Sequence, residues 1–169
     1  MKIENKTIRS VANNFRKELK NNFDLSEIEQ LLQITVEHYF SINKAALILD
    51  GDRELTDVNI QKLTDVIHAL KSNKPLAQII GEWAFLDLTF KVNEHTLIPR
   101  PETEELVLLI VEENSPEKQV SILDIGTGSG CIAISLKKEL KNSKVTAFDV
   151  SEEALKIAIE NANLNETSV

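Results

Sequence analysis

"LDIGTGSGC", residues 123–131, places Gly126, Gly128 and Gly130 between an apolar run and a stretch with helical spacing. The run VSILDIG (120–126) reads as a buried strand, and a helix follows from about Ser129 to Leu140. Glycines at such a junction allow a tight turn and let a ligand approach the backbone closely. The free N–H groups of the helix start, around Thr127 to Gly130, favour an anionic group such as a carboxylate or phosphate. Working outward, KVTAFDV (144–150) reads as a second strand, with a helix from about Ser151; another helix, Pro101 to about Glu113, precedes the first strand. This alternation predicts an α/β fold with a parallel sheet covered by helices. Asp149 falls at the carboxyl end of the second strand, where a carboxylate can accept hydrogen bonds from both hydroxyls of a ribose. The glycine turn and Asp149 together imply an adenosine-type cofactor. Two parallel strands are too few for an open α/β sheet, so the chain is expected to be the front part of a longer protein.

Upstream, "TLIPRPETEEL" (96–106) holds Arg100 between two prolines. Pro101 suits the first position of a helix, and Glu102, Glu104 and Glu105 face the positive end of its dipole. A helix start explains all of these except Arg100, which Pro99 and Pro101 confine to an extended conformation and a restricted set of directions. FLDLTFKV alternates apolar and polar residues from Leu86 to Val92, Asn93-Glu94 offers a turn, and HTLIP extends again. A β-hairpin with Trp83 and Phe85 in its core is expected over 75–99.

The first 74 residues read as a small helical bundle. Ile8, Val11, Phe15 and Leu19 recur at helical spacing, as do Leu25, Ile28, Leu31, Leu32, Val36 and Tyr39 behind an Asp24/Glu27 capping pattern. A short helix is expected around Lys44 to Leu49, and a last one capped by Thr56 carries Ile60, Leu63, Ile67 and Leu70. Three divisions follow: 1–74 a helical docking domain, 75–99 a hairpin linker, and 100–169 a partial cofactor-binding domain.

Net charge is −8 over 169 residues, and all the excess lies late: residues 1–75 hold 11 Lys+Arg and 11 Asp+Glu, and 76–169 hold 8 and 16. That distribution argues against nucleic-acid binding by the second part. The basic cluster Lys2, Lys6, Arg9, Arg16, Lys17 and Lys20 reads as a solvated helix face rather than an RNA contact. No apolar run approaches the ~20 residues of a membrane span, and MKIENKTIRS lacks the apolar core of a signal peptide, so a cytoplasmic location is expected. One cysteine and three dispersed histidines predict no internal disulfide and no metal site. Cys131 reads as a small buried helix residue and Asp124 as a turn-shaping one.

Dinucleotide fingerprints place a third glycine three residues after the second, where this chain has Cys131. The G-x-G-x-G spacing with Asp124 ahead of it looks instead like the first motif of S-adenosylmethionine-dependent methyltransferases, with NAD as the alternative. PLAQIIGEWAFLDLTFKVNEHTLIPRPETEEL, then ILDIGTGSGCIAISL and VTAFDVSEEALKIAIENA, resemble the release-factor glutamine methyltransferases, the PrmC/HemK family, over roughly 75–163. The resemblance implies a Rossmann-like class I methyltransferase sheet. It also implies methyl transfer to the side-chain amide of the glutamine in the Gly-Gly-Gln loop of peptide chain release factors. Carried onto this sequence, Gly126, Thr127, Gly128, Ser129, Gly130 and Asp149 would hold S-adenosyl-L-methionine, and Arg100, Thr103 and Glu104 would line or brace the same pocket.

Two departures are local: Gln78 stands where the family has Tyr, and Ala84 where it has an acid. The family's Asn-Pro-Pro-Tyr motif, which grips the substrate glutamine, is absent from these 169 residues. No residue here is therefore assigned a catalytic role, and no turnover is expected from residues 1–169 alone. A monomer with a release factor as partner and no membrane attachment is expected. Two other readings stay open: methylation of another protein or a nucleic acid, and a non-catalytic binding module.

Overall fold

A helix start needs acceptors for its first amides, and the N-terminal helices obtain them from short polar side chains. In the computed structural model, which describes residues 5–115 and 117–169, Thr7 caps α1 (Ile8–Leu19), Asp24 caps α2 (Leu25–Phe40) and Asn43 caps α3 (Lys44–Leu49). Thr56 and Asn59 form a complete capping box on α4 (Asp57–Lys71). At α2 only half of the expected box is present: Asp24 accepts from the Glu27 amide at 2.8 Å. A further short helix, α5 (Leu76–Ile80), follows Pro75 where no helix is predicted. Pro75 supplies its carbonyl to the amides of Gln78 and Ile79.

The chain divides into two compact units, one ending at Ile80 and one beginning at Gly81. In the first, Phe15, Leu19, Leu32, Ile42, Leu63, Ile67 and Leu70 form the buried centre. Three residues of its basic cluster are paired with acids: Lys6 with Asp57, Arg9 with Asp52, and Arg16 with both carboxylate oxygens of Glu29 at 2.5 and 2.9 Å. Lys2 lies outside the described residues.

The second unit opens with a hairpin, but its turn differs from the sequence expectation. β1 (Glu82–Phe85) pairs antiparallel with β2 (Leu88–Lys91), and the turn is Leu86-Asp87 rather than Asn93-Glu94. Residues 95–99 form no strand. The alternation of Leu88, Phe90 and Val92 is real, but it describes one strand and cannot mark where that strand begins. Phe85 and Phe90 are fully buried and meet edge to face at 5.9 Å, whereas Trp83 is half-buried.

Beyond α6 (Pro101–Glu112), the predicted βαβ unit is present. β3 (Ser121–Ile125) and β4 (Lys144–Phe148) run parallel in register from Ser121↔Lys144 to Ile125↔Phe148. α7 (Cys131–Glu139) connects them, and α8 (Glu152–Leu164) follows β4. α6 packs beside α7, and α8 lies against both α7 and β2. Ile122 and Val145 turn toward this helical layer, while Leu123, Ile125 and Phe148 stay exposed.

Candidate functional site

Two parallel strands that end side by side bring together the segments that follow them. The amides of Gly126 and Thr127 both donate to the Phe148 carbonyl, at 2.8 and 3.0 Å, which ties the glycine turn to the end of β4. Asp149, the next residue, then meets the turn directly. Its Oδ2 accepts from the Gly128 amide at 2.8 Å and its Oδ1 from the Ser151 amide at 2.9 Å. These amides, Ser151 first and Gly128 second, hold the Asp149 carboxyl below the usual aspartate range. Each carboxylate oxygen keeps a further acceptor position, and the side chain remains half-exposed.

The three glycines serve two purposes. Gly126 and Gly128 adopt φ of +80° and +57°, and a Cβ on either would enter open space; room therefore exists for a ligand to reach the backbone. Gly130 answers to packing. At φ +81° its Cβ would come within 2.9 Å of Ile134 Cδ1 and 3.3 Å of Ala158 Cβ, so α8 could not lie so close. Thr127 Oγ1 donates to Asp124 Oδ2 at 2.7 Å, and Asp124 thus shapes the turn through a hydroxyl rather than through amides. Ser129 is 2% exposed and its hydroxyl finds no hydrogen-bond partner in good geometry. Open glycine backbone at a helix start fits a polar or anionic ligand group. Burial pushes the Cys131 thiol up from its ordinary value.

Arg100, Thr103 and Glu104 belong to the start of α6. Arg100 is the extended N-cap residue of α6 and is exposed, without a side-chain capping bond. Its carbonyl accepts from the Thr103 amide at 3.0 Å. Glu104 reaches the hairpin: its Oε1 accepts from the Leu86 amide at 2.9 Å. Leu86 has φ +50°, an uncommon conformation for a branched residue, and this bond holds it there. Among the described residues, none of the three shares a hydrogen bond with the glycine turn or Asp149.

One residue that the sequence did not single out connects the two sides. Asn161 of α8 is fully buried, accepts from the Lys91 amide at 2.6 Å, and donates to the carbonyls of Lys91 at 3.0 Å and Ser129 at 2.8 Å. A signal for it does exist along the chain. Asn161 continues the buried helical stripe Ala154, Ala158, where an apolar residue would otherwise belong.

Residues 12–81 match the family model for the PrmC N-terminal domain, and residues 101–169 match that for ribosomal protein L11 methyltransferase (PrmA). A release factor glutamine methyltransferase of Flavobacterium psychrophilum is 46% identical over 165 residues, covering 96% of this chain and 58% of the relative. One from Lactococcus lactis is 44% identical over 138 residues, covering 82% and 51%. One from Streptococcus pneumoniae is 50% identical over 107 residues, covering 63% and 38%. The chain thus spans about half the length of the curated relatives it matches.

Proposed function

This chain belongs to the release factor glutamine methyltransferase family, and from that premise we propose that its second unit binds S-adenosyl-L-methionine at the turn 126–130 and Asp149. The carrying observation is the bond between Asp149 and the Gly128 amide, which brings a carboxylate and an open glycine backbone to one place. Asp149 accepts the ribose hydroxyls, the helix-start amides and Ser129 receive the amino-acid end, and Gly126 and Gly128 keep the approach clear. Arg100, Thr103 and Glu104 form the wall on the α6 side. Bound there, S-adenosylmethionine supplies an electrophilic methyl group on a sulfonium.

For the whole protein we propose methylation of the glutamine side-chain amide in the Gly-Gly-Gln loop of a peptide chain release factor, with the helical unit docking that partner. An amide nitrogen is a poor nucleophile, because its lone pair is delocalised. Catalysis therefore depends chiefly on orienting that nitrogen at the methyl group, and such positioning can contribute ~7–11 kcal/mol. Asn-Pro-Pro-Tyr, the motif implied for that orientation, is not within these 169 residues. Calorimetric titration with S-adenosylmethionine and with NAD tests the first part: binding of the former, abolished by Asp149→Ala, is expected, and NAD binding alone would overturn it. Labelled methyl transfer to a release factor by residues 1–169 alone is expected to be absent.

A second reading changes only the acceptor. The match of residues 101–169 to the ribosomal protein L11 methyltransferase model favours a ribosomal protein, while the match of 12–81 to the PrmC N-terminal domain favours the release factor. Acceptor profiling with the intact protein separates the two.

A further inference from the structure

Within the hairpin, the Val92 amide bonds to the Gly81 carbonyl, so the backbone groups of Lys91 point away from β1. That outer edge of β2 would be left unpaired, and α8 covers it with two carboxamides. Asn161 takes both the N–H and the C=O of Lys91, and Asn165 donates to the Thr89 carbonyl at 2.9 Å. Their spacing matches the strand, because helix positions i and i+4 are ~6 Å apart along the axis, close to the ~6.7 Å between alternate strand residues. The two asparagines differ in one respect. Asn161 also donates to the Ser129 carbonyl in the glycine turn, whereas Asn165 has its second bond to the Asn161 carbonyl within its own helix.

We infer that Asn161 is a positioning residue for the cofactor turn, setting the height of the Gly128–Gly130 backbone over α8 and tying it to the hairpin. α8 supports the turn at two neighbouring points, with Ala158 beneath Gly130 and Asn161 at the Ser129 carbonyl. The hairpin is fastened at its other end to α6 by Glu104 and Leu86. Asn161 therefore joins, through hydrogen bonds, the hairpin that Glu104 holds to the backbone of the glycine turn. Only a carboxamide performs all three bonds, because it presents an acceptor and two donors on one planar group.

The affinity arm of the test rests on the proposed cofactor; the exchange arm does not. Hydrogen exchange of the Gly128 and Gly130 amides is measured in the full chain without cofactor for Asn161→Ala and Asn165→Ala. Both variants lose bonds to β2, so both lose stability. Exchange at the turn is expected to rise about tenfold more in Asn161→Ala, the scale of a lost hydrogen bond to a buried group. S-adenosylmethionine affinity should fall by a similar factor in Asn161→Ala and stay within about twofold of the unsubstituted chain in Asn165→Ala. Asn161→Asp keeps the acceptor but loses the donors. At neutral pH its turn should have lost protection, taken as exchange relative to the intrinsic amide rate at the same pH, and that protection should recover as acidification protonates the carboxyl, a change in protection that Asn165→Ala lacks; this variant carries the test if Asn161→Ala does not fold. Equal exchange at the turn in the Asn161→Ala and Asn165→Ala variants, or no recovery of Asn161→Asp in acid, would overturn the inference. Failure of the unsubstituted chain to bind S-adenosylmethionine would overturn the functional reading, and the exchange comparison would still decide this one.

Discussion

In the unit ending at Ile80, an apolar side chain that leaves one helix meets another: Phe15, Leu32 and Leu63 are fully buried among residues of other helices. In the unit beginning at Gly81, the side chains on one face of the sheet meet solvent. Leu123 is 60% exposed, Ile125 73% and Phe148 52%. The difference lies in what each element requires. A helix satisfies its backbone internally and needs cover on one stripe, so a few helices close around a centre. A strand needs neighbours at its edges and cover on both faces, and the β3–β4 pair has helices on one face only.

The sharpest way to break this comparison is to cut each unit at an aromatic residue. Phe15→Ala should destabilise the helical unit by ~3–5 kcal/mol, read by denaturant unfolding, because a fully buried ring leaves a cavity. A loss under about 1 kcal/mol would mean the helical centre is looser than its burial indicates. Next in size is local opening: amides of β3 and β4 should exchange faster than those of α2 and α4. Uniform protection across both units would erase the contrast. Thr56→Ala removes the side-chain half of the α4 capping box and should cost ~1 kcal/mol. Phe148→Ser should change stability by no more than ~0.5 kcal/mol and raise solubility, since it removes exposed apolar surface. A pH titration sharpens the picture at Asp149. Its carboxyl is held low in the folded chain, so its contribution is complete above the ordinary aspartate value of ~3.9 and is lost as pH falls below it. Turn protection should therefore be flat from neutral pH to about 5 and decline only in stronger acid; a decline near pH 6 would place the control in another group.

Sequence periodicity is informative wherever one element decides its own form. The helices over Ile8–Leu19, Leu25–Phe40 and Asp57–Lys71, the glycine turn and the βαβ order can all be read directly. So can the meeting of Asp149 with the turn, because parallel strands joined by a helix end side by side. The hairpin turn lies away from its expected place for a physical reason. Leu86 carries no local turn signal, and its left-handed conformation is held by Glu104, eighteen residues away in α6. Gly130 likewise resembles the other two glycines of the turn in sequence, and the packing of Ile134 and Ala158 against it sets it apart.

By itself, then, the sequence determined the kind and order of the elements and the chemistry gathered at the ends of β3 and β4, since these follow from local propensity and strand direction. Only the tertiary structure decided that Asn161 unites the hairpin edge with the glycine turn, and that Glu104 accepts from the Leu86 amide. A buried carboxamide finds its partners among backbone groups that packing brings near, and no spacing along the chain encodes which groups those will be.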